Sequence, residues 1–177
     1  MRSNGFEGMV CSIATVLSAM GDRWGALIVR DLFLGLSRYD DLRRSTGITN
    51  ATLSDRLKAL EQNALIERRL YQSRPDRYEY LLTAKGRDLG LVMQAMVQVG
   101  DRWSSERAGG PPLRFIDRRS GRIVKLAAVL PETGEAVGAG DVTIAAGPGA
   151  DDVMTWRLGV RKAKADRPMP DTAGAPS

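Results

Sequence analysis

The sequence predicts a mainly α-helical protein with one β-hairpin, followed by a small β-rich C-terminal appendage. Three observations predict it. Apolar residues recur at helical spacing through successive segments between residues 12 and 62. The period changes to that of strands between 65 and 82, on either side of a polar tip that contains Pro75. Helical spacing then returns from 84 to about 105, where Gly109-Gly110-Pro111-Pro112 stops any helix and marks a boundary.

The elements follow in order. The first helix, Ser12 to Met20, places Val10, Ile13, Leu17 and Met20 on one apolar face, with Ser12 as its N-cap and Gly21 as its end. A second helix from Trp24 to Leu34 carries Leu27, Ile28, Leu32 and Phe33 and stops at Gly35. A short third helix, Tyr39 to Ser45, turns Leu42 inward. Thr46-Gly47-Ile48-Thr49-Asn50 is a turn, and either Thr49 or Asn50 caps the helix that follows, because a short side-chain oxygen satisfies its first free N–H groups. That helix, 49–62, buries Leu53, Leu57 and Leu60 and leaves a polar outer face. Strands at Leu65 to Tyr71 and Tyr78 to Leu82 flank the tip Gln72 to Arg77. Thr83 caps a long helix whose expected buried face is Leu89, Val92, Met93, Met96, Val99 and Trp103.

Beyond the boundary, Leu113 to Ile116 and Ile123 to Leu130 read as short strands around Ser120-Gly121, with a further strand at Val142 to Ala145. The expected organisation is one domain over 1–107, a β-rich extension over 108–162 and a disordered tail over 163–177.

Composition narrows the chemistry. The 177 residues are 43% hydrophobic, enough for a packed core, and the formal charge is +5. Residues 1–107 hold 16 Lys+Arg against 13 Asp+Glu, and 108–177 hold 10 against 8, so any affinity for a polyanion must come from where charge is placed. With no histidine and one cysteine, Cys11, the chain can form no internal disulfide, no Cys/His zinc cluster and no Ser-His-Asp or Cys-His pair. It also lacks a glycine-rich phosphate loop, so no enzymatic activity and no cofactor is expected. No leader pattern and no apolar run of about 20 residues is visible, and the expected location is the cytoplasm.

A short helix, a glycine-containing turn and an amphipathic helix make a helix-turn-helix, and the hairpin after it makes a wing. The residues also resemble a family, the HxlR-type regulators, relatives of the MarR group. Gly21-Asp22-Arg23-Trp24 with Leu27 to Leu32 resembles that family's second helix, and Arg38-Tyr39-Asp40-Asp41-Leu42 its arginine-aromatic signature. Ile48-Thr49, Leu53, Arg56-Leu57-Lys58 and Leu60-Glu61 are similar to its recognition helix. Leu65 to Arg68, Tyr71, Pro75, Arg77, Glu79-Tyr80, Leu82-Thr83 and Gly86 are similar to its wing and the start of its last helix. The chain departs from the pattern at Asn63-Ala64, where the family usually has an acidic residue and a glycine. The turns at Arg119-Ser120-Gly121 and Glu132-Thr133-Gly134 are similar to the knuckles of a zinc ribbon carried by some relatives, but without cysteines, which implies a metal-free appendage.

The resemblance implies a bacterial-type transcriptional regulator: a cytoplasmic homodimer, joined through its N-terminal helix and helix 84–105, on a palindromic site in double-stranded DNA. Its recognition helix 49–62 would enter the major groove and its wing 66–82 would meet flanking backbone or minor groove. The candidate DNA contacts are Thr49, Asn50, Thr52, Ser54, Asp55 and Lys58 on that helix, Arg43 and Arg44 on the helix before it, and Arg74 and Arg77 on the wing. Arg56 either binds phosphate or forms a structural ion pair, and Arg77 either meets DNA or braces the wing against Glu79. Cys11 is either a redox-sensing thiol or a small buried hydrophobe. A small-molecule effector is left open, and Trp24, Trp103, Met20, Met93 and Met96 line either a ligand cavity or the core. The rival reading is a winged-helix protein-interaction module that does not bind DNA, which an acidic outer face on helix 49–62 would favour.

Overall fold

The computed structural model describes residues 6, 8–104, 106 and 109–165. It comprises two compact units, one over Cys11–Ala127 and one from Ala128 onward that also takes Gly8–Val10. The first unit therefore continues well past the Gly-Gly-Pro-Pro run. The reason is a clasp: the Gln98 side chain donates to the Leu126 carbonyl and accepts from the Leu126 N–H, both at 3.0 Å, so the segment after the prolines is held to the last long helix.

Four helices open the first unit: α1 (Ser12–Met20), α2 (Arg23–Phe33), α3 (Tyr39–Thr46) and α4 (Asn50–Gln62). Cys11, not Ser12, stands at the N-cap of α1, and no side chain caps that helix. Helix α2 is capped by Asp22, whose Oδ1 accepts from the N–H groups of Trp24 (3.0 Å) and Gly25 (3.1 Å). A cap of this kind is worth about 1 kcal/mol. Gly47 ends α3 at φ 69°, a left-handed conformation that a Cβ disfavours, and Thr49 then caps α4 by accepting from Thr52 N–H. The core lies where these helices meet the hairpin. Ile28, Leu42, Leu53, Leu60, Leu65 and Ile66 are fully buried in it.

The hairpin pairs β1 (Ile66–Ser73) with β2 (Asp76–Leu82), antiparallel and in register from Ile66↔Leu82 to Ser73↔Asp76. The strands run further than the sequence suggests, leaving only Arg74-Pro75 as the turn. A bulge at Tyr71 shifts the register between Leu70 and Gln72. On the other side of β2, Tyr80 N–H donates to the Ser37 carbonyl (2.8 Å) and Arg38 bridges to Glu79, so the chain entering α3 is tied to the wing.

The junction between α4 and the hairpin is tight. Asn63 is the C-cap of α4 with φ −82°, and the left-handed position falls on Ala64 at φ 55°. The position for which the family resemblance implies a glycine is thus left-handed, with an alanine in it. Left-handed backbone costs a residue with a Cβ roughly 1–2 kcal/mol, part of which a glycine gives back in unfolded-state entropy. Ala64→Gly is therefore expected to stabilise the domain by roughly 0.5–1 kcal/mol, raising its melting temperature by a few degrees in a thermal denaturation.

Thr83 caps the next helix by accepting from Gly86 N–H (3.0 Å), and its hydroxyl donates to the Ala64 carbonyl (2.7 Å). The long helix expected after Thr83 is two helices, α5 (Ala84–Asp88) and α6 (Gly90–Trp103), because buried Leu89 closes α5 with a tightened bond to the Gly86 carbonyl. Of the face expected to be buried, Leu89 and Met93 are, and Val92 and Val99 are half-buried. Met96 is exposed, and Trp103 is 85% exposed. Helical spacing shows that a face is apolar and does not show what covers it.

The β-rich extension is smaller than expected. Ile116 bridges Ile123, and β3 (Ala128–Val129) pairs with β4 (Ala136–Val137), while Val142 to Ala145 form no strand. The knuckle-like turns are present. Gly121 (φ 67°) donates to the Asp117 carbonyl and Gly134 (φ 71°) to the Leu130 carbonyl, both at 2.8 Å. In the first, the Asp117 carboxylate accepts from Ser120 Oγ and from the N–H groups of Arg119 and Ser120, and these bonds hold it below the usual carboxylate range. A helix not anticipated from the sequence, α7 (Asp152–Ala165), follows Asp151, whose Oδ1 accepts from Met154 N–H (2.7 Å). Residues 163–165 of the expected tail are therefore helical, and 166–177 lie outside the described residues.

Candidate nucleic-acid interface

Three leucines fix which way α4 faces. Leu53, Leu57 and Leu60 are buried, so at 3.6 residues per turn the opposite side presents Ala51, Asp55, Lys58 and Gln62, all exposed. Asn50 and Ser54 are exposed along one margin of that side, and Thr52 and Arg56 are half-buried along the other. Thr49 serves the backbone, and its hydroxyl shares a 3.0 Å hydrogen bond with Thr52 Oγ1. The candidates on α4 thus divide. Asn50, Ser54, Asp55 and Lys58 reach solvent, Thr49 and Thr52 support the start of the helix, and Ala51 and Gln62 stand on the outer face without having been singled out by their chemistry.

Arg56 is held at home. Its Nε donates to Asp22 Oδ2 at 2.8 Å, so one carboxylate caps α2 and anchors α4. Partial burial pushes the Asp22 carboxyl up, but the Gly25 N–H, the Arg56 guanidinium and the Trp24 N–H together outweigh it and hold the pKa below its ordinary value. A second tie was also missed in the sequence. The Tyr39 hydroxyl donates to the Asn50 carbonyl (2.9 Å) and lies 3.1 Å from Ser54 Oγ, joining the start of α3 to the first turns of α4. One contact thus ties α4 to the start of α2 and the other ties it to α3.

The wing is braced by Arg69, not Arg77. Arg69 donates to Glu79 Oε1 through Nε (2.9 Å) and Nη2 (2.6 Å) across the two strands, and this pairing holds Glu79 below the usual carboxylate range. The bulged Tyr71 lies under the Arg38 guanidinium, 4.9 Å from ring centre to charge, and Arg68 stacks on Tyr78 at 5.0 Å. Such packing stiffens an exposed hairpin whose strands bury little else. At its end Gln72 Nε2 donates to the Arg74 carbonyl (3.0 Å), fixing the turn. Arg74 and Arg77 are exposed and have no ion-pair partner among the described residues, and the same holds for Arg43 and Arg44 in the last turn of α3. Cys11 is half-buried at the N-cap of α1.

A helix-turn-helix whose second helix turns a polar side outward, followed at once by an arginine-tipped hairpin, defines the winged helix-turn-helix class of transcriptional regulators. More narrowly, the chain belongs to the HxlR-like helix-turn-helix family, whose model matches residues 19–108. It is similar to an uncharacterized HTH-type transcriptional regulator of Mycobacterium tuberculosis, with 37% identity over 147 residues that cover 83% of this chain and 91% of the relative. Among solved structures it is similar to a candidate transcription factor from Pseudomonas aeruginosa (40% identity, TM-score 0.57, 84% of this chain and 100% of the other). A second candidate transcription factor shares 29% identity with a TM-score of 0.68, over 80% of this chain and 99% of the other. This is a family of transcriptional regulators and not of enzymes. An alignment of 147 residues must run well past residue 108, so part of the extension is shared with these relatives. No helix among the described residues is long and apolar enough to cross a membrane.

Proposed function

We propose that the chain is a homodimeric, sequence-specific DNA-binding regulator that lays α4 in the major groove of each half-site of a palindromic operator and its wing on the flanking backbone or minor groove. The observation that carries this reading is the solvent-facing polar side of α4 beside a wing tip bearing Arg74 and Arg77, neither in an ion pair among the described residues. An α-helix fits the major groove, where each base pair presents a distinct donor and acceptor pattern, and arginine suits phosphates and the narrow minor groove. Asp55 is the one acidic residue on the α4 outer face, and it stands beside Lys58, which does not favour the protein-docking alternative.

The dimer is supported by uncovered apolar side chains on the two helices the family resemblance implicates. On α1, Ile13 is 71% exposed and Leu17 is exposed. On α6, Leu91, Met96 and Trp103 are exposed. Large apolar side chains left exposed on both of these helices are what an interface would cover. Two copies place two recognition helices about one helical turn of DNA apart, 10–10.5 base pairs, or a multiple of that.

Selection of duplexes by the full chain, followed by gel-shift titration at one stated salt concentration, tests the placement of α4. Asn50→Ala or Ser54→Ala, at positions that reach solvent on α4, is expected to change base preference, at a cost of about 1–3 kcal/mol at the affected base pair. A single unaltered consensus for both variants and for the wild-type chain would remove α4 from the reading role.

A further inference from the structure

A cavity of about 340 Å3 opens within the first unit between α2, α6 and the segment carrying Leu113 and Phe115. Leu27 and Phe33 of α2, Met93 and Val97 of α6, and Phe115 make its wall apolar, and Arg30 is the charged side chain that lines it. The volume lies in the range, about 300–1,000 Å3, of sites that hold small organic ligands. The outer wall is not improvised. Val124 N–H donates to the Phe115 carbonyl (2.9 Å), and the Gln98 clasp on Leu126 fixes the same segment to α6. Leu113 and Phe115 lie beyond residue 108, where the family match ends, so the extension completes a pocket that the winged domain by itself leaves open.

Arg30 is oriented before any ligand arrives. Its Nε and Nη2 hold Oδ1 of Asp31, a fully buried carboxylate, at 2.8 and 2.7 Å, and Nη2 lies 3.5 Å from Ser45 Oγ on α3. A guanidinium has five N–H donors on two usable edges, and here the pair on Nη1 has no partner among the described residues. A carboxylate takes such donors in short, charge-assisted bonds.

The geometry points to this cavity as a binding site for a hydrophobic monocarboxylate, its apolar body enclosed by α2, α6 and Phe115 and its carboxylate on Nη1 of Arg30. Because the same guanidinium reaches Ser45, a ligand that draws on it acts on α3, the helix that Tyr39 ties to α4. Calling the ligand an effector rests on the DNA-binding reading above; its binding does not.

The test is calorimetric titration of the DNA-free full chain with 1-naphthoate and, separately, with 1-naphthylmethylamine. One saturable site per chain is expected for the acid, with the amine at least about ten-fold weaker, as expected when a charge-assisted bond is exchanged for repulsion. Gly90 lines the cavity, and a Cβ there meets only the Phe33 ring at 3.4–3.5 Å, so Gly90→Leu fills the space from the first position of α6. Phe115→Ala removes the outer wall from a partly exposed position, and serves should Gly90→Leu fail to fold. Either folded variant, checked by circular dichroism, is expected to lose about ten-fold or more in affinity for the acid. No saturable binding of naphthoate, equal binding of the amine, or unchanged binding in a folded variant each overturns the site. A gel shift with and without naphthoate separates the two claims. Naphthoate that binds the chain without altering duplex affinity overturns the effector role alone, whereas a chain that binds naphthoate but no duplex overturns the DNA reading.

Discussion

Gly86→Ala is expected to cost the domain about 3 kcal/mol or more, the upper end of what overpacking a rigid site does. A Cβ built on Gly86 falls 2.0 Å from the Leu65 carbonyl oxygen and 3.0 Å from its carbon. That carbonyl cannot step aside. It accepts from Thr83 N–H (3.1 Å) and Thr83 Oγ1 (3.2 Å), and it follows Ala64, already held at φ 55°. Relief therefore requires the end of α4, the start of β1 and the cap of α5 to move together. The expected result is a fall in melting temperature on the order of 10 °C and a urea midpoint lower by about 1 M or more. The same substitution at Gly159, in α7, where nothing lies within 4 Å of the added methyl, is expected to be neutral or mildly stabilising. An unchanged midpoint for Gly86→Ala would mean that α5 does not approach Leu65 as closely as it does here. Ala64→Gly acts on the same junction with the opposite sign, so the pair tests whether the hinge between recognition helix and wing limits stability.

Most of what makes the motif was legible because it is local. The spacing of Leu53, Leu57 and Leu60, the Thr83 cap and the turn through Gly47 each act within a few residues and stand where the sequence places them, and of the two caps it offers for α4 the structure takes Thr49. What could not be read joins distant residues. Asp22 and Arg56 lie 34 residues apart, Gln98 and Leu126 lie 28 apart, and nothing in either neighbourhood announces the pairing. The choice of Arg69 over Arg77 as the partner of Glu79 depends on strand register, which puts Arg69 directly opposite Glu79. Helix α7 was hidden for a different reason. Gly159 interrupts its pattern and Gly147-Pro148-Gly149 precedes it, so a strand at Val142 to Ala145 and a polar tail were the more economical reading of the composition. Met96 and Trp103 sit at legible helical positions, but their spacing does not tell that they stand exposed.

The counterion count of the complex should fall when the wing loses its charge, and this is the sharpest way to separate reading from anchoring. Each phosphate contact on duplex DNA contributes about 0.9 to the slope of log affinity against log salt concentration. A homodimer that sets both wings on the backbone makes four such contacts through Arg74 and Arg77. Arg74→Ala with Arg77→Ala is then expected to flatten that slope by about 3.6, so that affinity lost between 50 and 200 mM salt shrinks by about 100-fold relative to the wild-type chain. Both side chains are exposed and outside any ion pair among the described residues, so the double substitution leaves the Arg69–Glu79 brace and the fold intact. Affinity for every duplex should drop while the ratio of operator to random sequence holds. Asn50→Ala should do the reverse, keeping the slope and changing the ratio. A flattening of about 1.8 would mean that only one wing per dimer meets the backbone, or one arginine of each wing. A slope unmoved by the double substitution would take the wing off the DNA.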